Sequence, residues 1–196
     1  MLADLLSLIR ISLRKPKVGA EHVLSFRLSL VELAQLAALV IVLTTLLSHL
    51  VAFAIPPSED ELAAGLQSQP FQALLLPTLI VAITVLGTYL IGRLFGGQGS
   101  LSEIATVVVW LQFLMLMFEF VQIVALLLLG QFVAMLILAV TIGLYFWLFS
   151  CFVSVAHGFR SARTVFFTTI ALVLTLSFVL AYIYLTLSPP REPSPV

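Results

Sequence analysis

The sequence predicts an all-α, polytopic membrane protein: a bundle of five transmembrane helices, N-terminus in the cytoplasm and C-terminus outside, led by an interfacial amphipathic helix. Three observations carry that expectation. Of 196 residues, 62% are hydrophobic and only 9% charged, whereas a soluble domain has about a quarter charged; there is too little charge to clothe a water-facing surface. Mean hydropathy is +1.22. Five stretches reach the roughly 20 apolar residues that crossing the hydrocarbon layer takes, and eight of the nine basic residues share one side when five spans alternate.

The lead, residues 1–27, comes first. Asp4, Ser7, Arg10 and Arg14 recur at helical spacing, with Leu2, Leu5, Leu6, Leu8, Ile9 and Leu13 on the other side. At this length the segment lies on a membrane rather than spanning it. Arg10, Arg14, Lys15 and Lys17 would then meet anionic headgroups; the alternative is a short helix packed on the cytoplasmic ends of the bundle. Lys15-Pro-Lys-Val-Gly19 breaks this helix from the first span. Asp4 and Arg10 interrupt its apolar run, which argues against a cleaved signal.

The membrane domain, residues 28–187, holds spans at about 30–55, 71–93, 104–129, 132–156 and 163–187. Ser29-Leu-Val-Glu32 and Ser100-Leu-Ser-Glu103 are capping boxes that open the first and third spans. Pro56-Pro57 ends the first. Ser58-Glu-Asp-Glu61 could start a short outer helix, and Pro77 is placed to kink the second span. Gly96-Gly97-Gln98-Gly99 reads as a flexible turn. The third and fourth spans meet at Gly130-Gln131; one continuous helix would be about 80 Å long against about 30 Å of hydrocarbon, so a tight hairpin is expected. Gly158 is placed to end the fourth span as a left-handed cap and Ser161 to cap the fifth. Residues 188–196 form a Pro-rich extracytoplasmic tail.

Arg10, Arg14, Lys15, Lys17, Arg27, Arg93, Arg160 and Arg163 fall on one side of this arrangement and Arg191 on the other. The excess of basic residues marks the cytoplasmic face. Thr84, Thr88 and Gly92, with Gly87 adjacent, and Ala171 and Thr175 form small-residue stripes, expected as internal helix contacts.

Polar groups inside the spans are the informative ones, because hydrocarbon offers them no partner. Gln112, Glu119 and Gln122 share one face of the third span. His49 is the other ionisable group at comparable depth, so Glu119 with His49, or with a tyrosine such as Tyr145, is the candidate intramembrane polar cluster. A structural reading, with Glu119 bonded to a neighbouring helix, stands beside it. No catalytic residue is expected: no Ser-His-Asp or Cys-His arrangement suggests itself, and the lone Cys151 lies in an apolar run. His22, His49 and His157 lack metal-ligand spacing, and Gly96–Ser100 lacks the Gly-Lys-Ser/Thr of a phosphate loop. No metal, cofactor or nucleic acid is therefore expected; the partners are the lipid bilayer and other membrane proteins or a second copy.

The segment Gly96-Gly-Gln-Gly-Ser-Leu-Ser-Glu-Ile-Ala-Thr-Val-Val-Val-Trp110-Leu-Gln-Phe, with the amphipathic lead, five spans and near-absent third-to-fourth connection, resembles the Yip family of Ypt/Rab-interacting membrane proteins, in particular its bacterial branch. The resemblance runs from about residue 28 over nearly the whole chain. It implies a five-span fold and a non-enzymatic role in membrane organisation or protein association, in a bacterial inner membrane. The long cytosolic region of eukaryotic members and their acidic Asp-Leu-Tyr-Gly-Pro-type motif are missing here, so the GTPase partnership does not carry over. Two other readings differ in class: a small transporter or ion-conducting subunit using Gln112, Glu119 and Gln122, and an accessory subunit of a larger membrane complex.

Overall fold

The computed structural model describes residues 2–54 and 70–187. Among them seven helices follow one another: α1 (Leu2–Arg14), α2 (Pro16–Leu24), α3 (Leu30–Ala54), α4 (Pro70–Leu94), α5 (Leu101–Leu129), α6 (Gln131–Ala156) and α7 (Ala162–Leu187). The last five are each long and apolar enough to cross a membrane. The short outer helix expected after Pro57 and the Pro-rich tail lie outside the described residues.

The helix ends are built from the residues that the sequence nominates. At Ser29 the backbone N–H donates to Glu32 Oε2 at 2.8 Å and Glu32 N–H donates back to Ser29 Oγ at 3.3 Å. Ser100 and Glu103 repeat the pattern at 2.7 and 3.2 Å. Gly130, at φ +83°, turns the chain back between α5 and α6 within one residue, an angle that only glycine adopts without strain. Gly158 (φ +71°) closes α6: its N–H donates to Val155 O and Phe159 N–H to Ser154 O at 2.8 Å, the paired bonds of a Schellman cap. Ser161 Oγ accepts from Thr164 N–H at 3.3 Å to open α7.

α5 is the hub. It packs against α6, α3, α4 and α2, whereas α7 has α6 as its main neighbour. The core joins Ile104, Val108, Leu111 and Leu114 of α5 to Leu148 and Phe152 of α6. It therefore occupies the half of the bundle near the α4–α5 and α6–α7 turns, which also carries Arg27, Arg93, Arg160 and Arg163, all exposed. That is the basic end of the molecule.

The lead is more elaborate than its sequence suggests. α1 has the expected amphipathic character, with Asp4, Ser7, Arg10 and Arg14 exposed, but Leu8 and Ser12 are buried against the protein. The expected break at Lys15–Gly19 is instead a second helix: Pro16 sits in its first turn, where its missing N–H costs nothing. Gly19 lies so close to α1 that a Cβ there would stand 2.6 Å from Ser12 Cα. Ala20 and Val23 are buried, and α2 docks on both α5 and α6. Ser12 Oγ accepts the Trp110 indole N–H at 3.0 Å, joining lead to hub.

Candidate functional site at the basic end

Two helix C-termini meet here. α4 ends as α6 does: Gly96 (φ +81°) donates to Arg93 O and Gly97 N–H to Gly92 O at 2.8 Å. The chain then stays in contact, with Gln98 N–H donating to His157 O at 3.1 Å. The turn read as flexible is thus a hydrogen-bonded, packed connection: a Cβ on Gly99 would stand 2.6 Å from the Ala156 carbonyl oxygen, and Gly97 lies against a side chain that tolerates no Cβ in its place. That side chain is His157, 2% exposed.

His157 is held in a glycine cradle. A Cβ on Gly92 would penetrate the ring, coming within 2.6 Å of Cδ2 and closer still to Nε2 and Cε1; one on Gly97 would stand 2.5 Å from Nδ1. Nε2 lies 3.2 Å from the Thr88 carbonyl. A carbonyl only accepts, so Nε2 carries the proton and Nδ1 presents a lone pair; Nδ1 is buried without a hydrogen-bond partner. Burial holds this imidazole below the ordinary histidine range, since desolvation disfavours the charged form. The Thr88 carbonyl opposes that shift, nearby Arg93 adds to it, and Glu103 opposes it.

Beside the cradle a groove of about 660 Å³ runs between α4, α6 and α7. Thr84, Gly87 and Thr88 line it from α4, so this part of the expected small-residue stripe is not a helix contact; Gly92 alone is buried. On α7, Ala171 and Thr175 are exposed and make no such contact either. Thr164 and Thr168 face the groove from α7, and Arg160 stands at its end.

The intramembrane polar residues are distributed more widely. Glu119 Oε1 accepts from Ser48 Oγ of α3 at 3.4 Å. His49 sits next to Ser48 but directs Nδ1 to the Thr45 carbonyl of its own helix at 2.8 Å. Tyr145 lines the groove. Gln112 borders a separate apolar cavity of about 170 Å³, with Thr44 and Pro77 across it, and Gln122 is half-buried. Arg10, Arg14, Lys15 and Lys17 are all exposed along the lead. No group of three or more His, Cys, Asp or Glu that could hold a metal ion occurs among the described residues.

His157 is what sequence reasoning missed. The sequence carries a signal for it all the same: the 92–99 segment holds four glycines, of which a Schellman cap needs only one.

A family model described as the Yip1 domain matches residues 12–183, a range that takes in Ser12, all of α2 and both sides of the cradle. No curated protein and no solved structure matches the chain. With the match covering most of its length and five helices able to cross a bilayer, the chain belongs to the Yip1 domain family of integral membrane proteins.

Proposed function

We propose that the protein is a non-enzymatic membrane organiser that holds other membrane proteins, or a second copy of itself, in a bacterial inner membrane with its basic end in the cytoplasm. The observation that carries this reading is the state of α7. From Ala171 to Leu187 every residue is exposed, so almost two-thirds of this helix is only partly covered within the chain. Apolar exposure alone brings no association in lipid; small residues that let backbones approach do, and Ala171 and Thr175 supply such a pair, one turn apart. Two acidic residues at the basic end, Glu32 and Glu103, support a structural rather than a catalytic use, since both are engaged as capping-box acceptors. The orientation rests on the positive-inside rule.

The test is photo-crosslinking in intact membranes from single reporter positions at Leu174 and Leu180, which are 65% and 57% exposed. The expected result is a discrete protein adduct from one face of α7, either a doubled mass or a defined heterologous band. Crosslinks to lipid alone from every α7 position would refute the reading. Reporter fusions at residues 98 and 160 should both report cytoplasm.

A further inference from the structure

We propose that the groove between α4, α6 and α7 is a binding site for one anionic phospholipid, entered sideways from the bilayer, with its headgroup at Arg160. This inference stands apart from the scaffold reading, because it concerns lipid held by one copy rather than a protein on α7.

The groove carries its charge at one end. At the basic end the groove begins with the Arg160 guanidinium and the Ser161 hydroxyl. Arg163, in the first turn of α7, and Arg93, in the last turn of α4, place two more cations at the same level, both exposed. No acidic side chain is among the described lining residues. Thr164 and Thr168 follow on α7, about 6 and 12 Å along the helix from the mouth at about 1.5 Å per residue. Thr88 and Thr84 answer them from α4. Beyond these hydroxyls the walls turn to hydrocarbon and aromatic groups: Ile83, Phe146, Leu172 and Val173, with Tyr145 among them. Ile91, Phe95, Val153 and Phe159 line the basic half as well, so the cation and hydroxyls there sit on an apolar lining, and charge is confined to the end where a phosphate would lie.

Size selects the occupant. At about 660 Å³ the groove falls within the range of about 300–1,000 Å³ of small-molecule sites. α4 and α7 stand apart across the opening instead of packing together, so a lipid can enter without leaving the membrane. Basic pockets between transmembrane helices at the cytoplasmic side are suited to anionic headgroups, at about fivefold in affinity for each nearby arginine.

The full chain, purified in a maltoside detergent and stripped of lipid, would be titrated with dioleoyl phosphatidylglycerol and dioleoyl phosphatidylcholine and the complexes counted by native mass spectrometry. One phosphatidylglycerol should be held at least about fivefold more tightly than phosphatidylcholine. Arg160→Gln, with Arg93 and Arg163 still in place, should lower that preference about fivefold. Gly87→Phe should lose both, since a side chain at Gly87 meets nothing within 4 Å and grows into the groove without disturbing the backbone. Leu127→Phe, on the exposed outer surface of α5, should change nothing. Equal affinities in the unaltered chain, a preference undiminished by Arg160→Gln, or a lipid that survives Gly87→Phe would each overturn the proposal. So would displacement of the lipid's headgroup preference by millimolar inorganic phosphate with no effect of Gly87→Phe, which would identify a soluble anion as the occupant.

Discussion

Replacing Gly92 with alanine sets two physical effects against each other in one residue. In an exposed helix the change is favourable by about 1 kcal/mol, because glycine has the most backbone freedom to lose. Here the new methyl would lie within the His157 ring. The imidazole is almost fully buried, with its Nε2–H on the Thr88 carbonyl, so it can move only by breaking that bond and leaving its cradle. Loss of the hydrogen bond costs about 1 kcal/mol net, and overpacking a filled site costs about 1–3 kcal/mol. Setting the propensity gain against these leaves a destabilisation of about 1–3 kcal/mol. Unfolding in mixed micelles of mild detergent and dodecyl sulfate would measure it. Gly87→Ala, one and a half turns away with open space around its Cβ, should instead stabilise by up to about 1 kcal/mol. In a His157→Ala background the Gly92→Ala penalty should disappear and the propensity gain remain, a coupling of about 2–4 kcal/mol in a double-mutant cycle. A Gly92→Ala chain as stable as the original, or a penalty that persists without the imidazole, would refute the cradle.

Four further outcomes are expected. His157 is held below the ordinary histidine range by burial, so the unfolded chain takes up the proton first, near pH 6.5; the stability His157 confers is complete above that pH and is lost as pH falls, by up to about 1.4 kcal/mol per pH unit. The stability difference between the original chain and His157→Gln should therefore shrink from pH 7.5 to pH 5, and a constant difference would contradict it. Gly19→Leu should detach α1 from α2, given a 2.6 Å approach to Ser12 Cα, and trypsin should then cleave after Arg14 and Lys17 at least several-fold faster. Ser100→Ala removes the side-chain cap of α5 and should cost about 1 kcal/mol, whereas Glu119→Gln, whose one partner is a 3.4 Å bond from Ser48, should change stability by less than about 1 kcal/mol.

The spans were legible because membrane insertion is a one-dimensional constraint: each run of apolar residues either suffices to cross or does not. Their ends were legible for a related reason, since Ser29, Ser100, Gly158 and Ser161 act on backbone groups within a few residues of themselves. α2 was hidden because Lys15-Pro16 reads as a break, and only contact with Ser12 shows that proline starting a helix. The cradle was hidden because it depends on which two helix ends meet. Gly92 and His157 are far apart in sequence, and nothing local to either indicates the other. The small-residue stripe on α4 illustrates the same limit: its spacing gives the face, but whether a helix or a groove lies opposite depends on where α7 settles.

The distribution of specific contacts explains why the bundle is tight at one end and open at the other. Lipid tails compete on equal terms with leucine for a leucine surface, so helices in a bilayer are held by close backbone approach and by hydrogen bonds. Both concentrate at the basic end, where Gly19, Gly92, Gly97 and Gly99 admit close approach and Ser12, Gln98, Ser102 and His157 bond between elements. Toward the other end, α5 and α6 present Leu127, Leu128, Phe132 and Leu136, all more than half exposed, with nothing among them to prefer protein over lipid. α7 is therefore anchored at its first turns and free beyond them, and a groove opening between it and α4 follows from the same asymmetry. Stability and openness are thus divided along the membrane normal, so substitutions in the cradle should alter folding while substitutions on outer α7 alter association and leave folding intact.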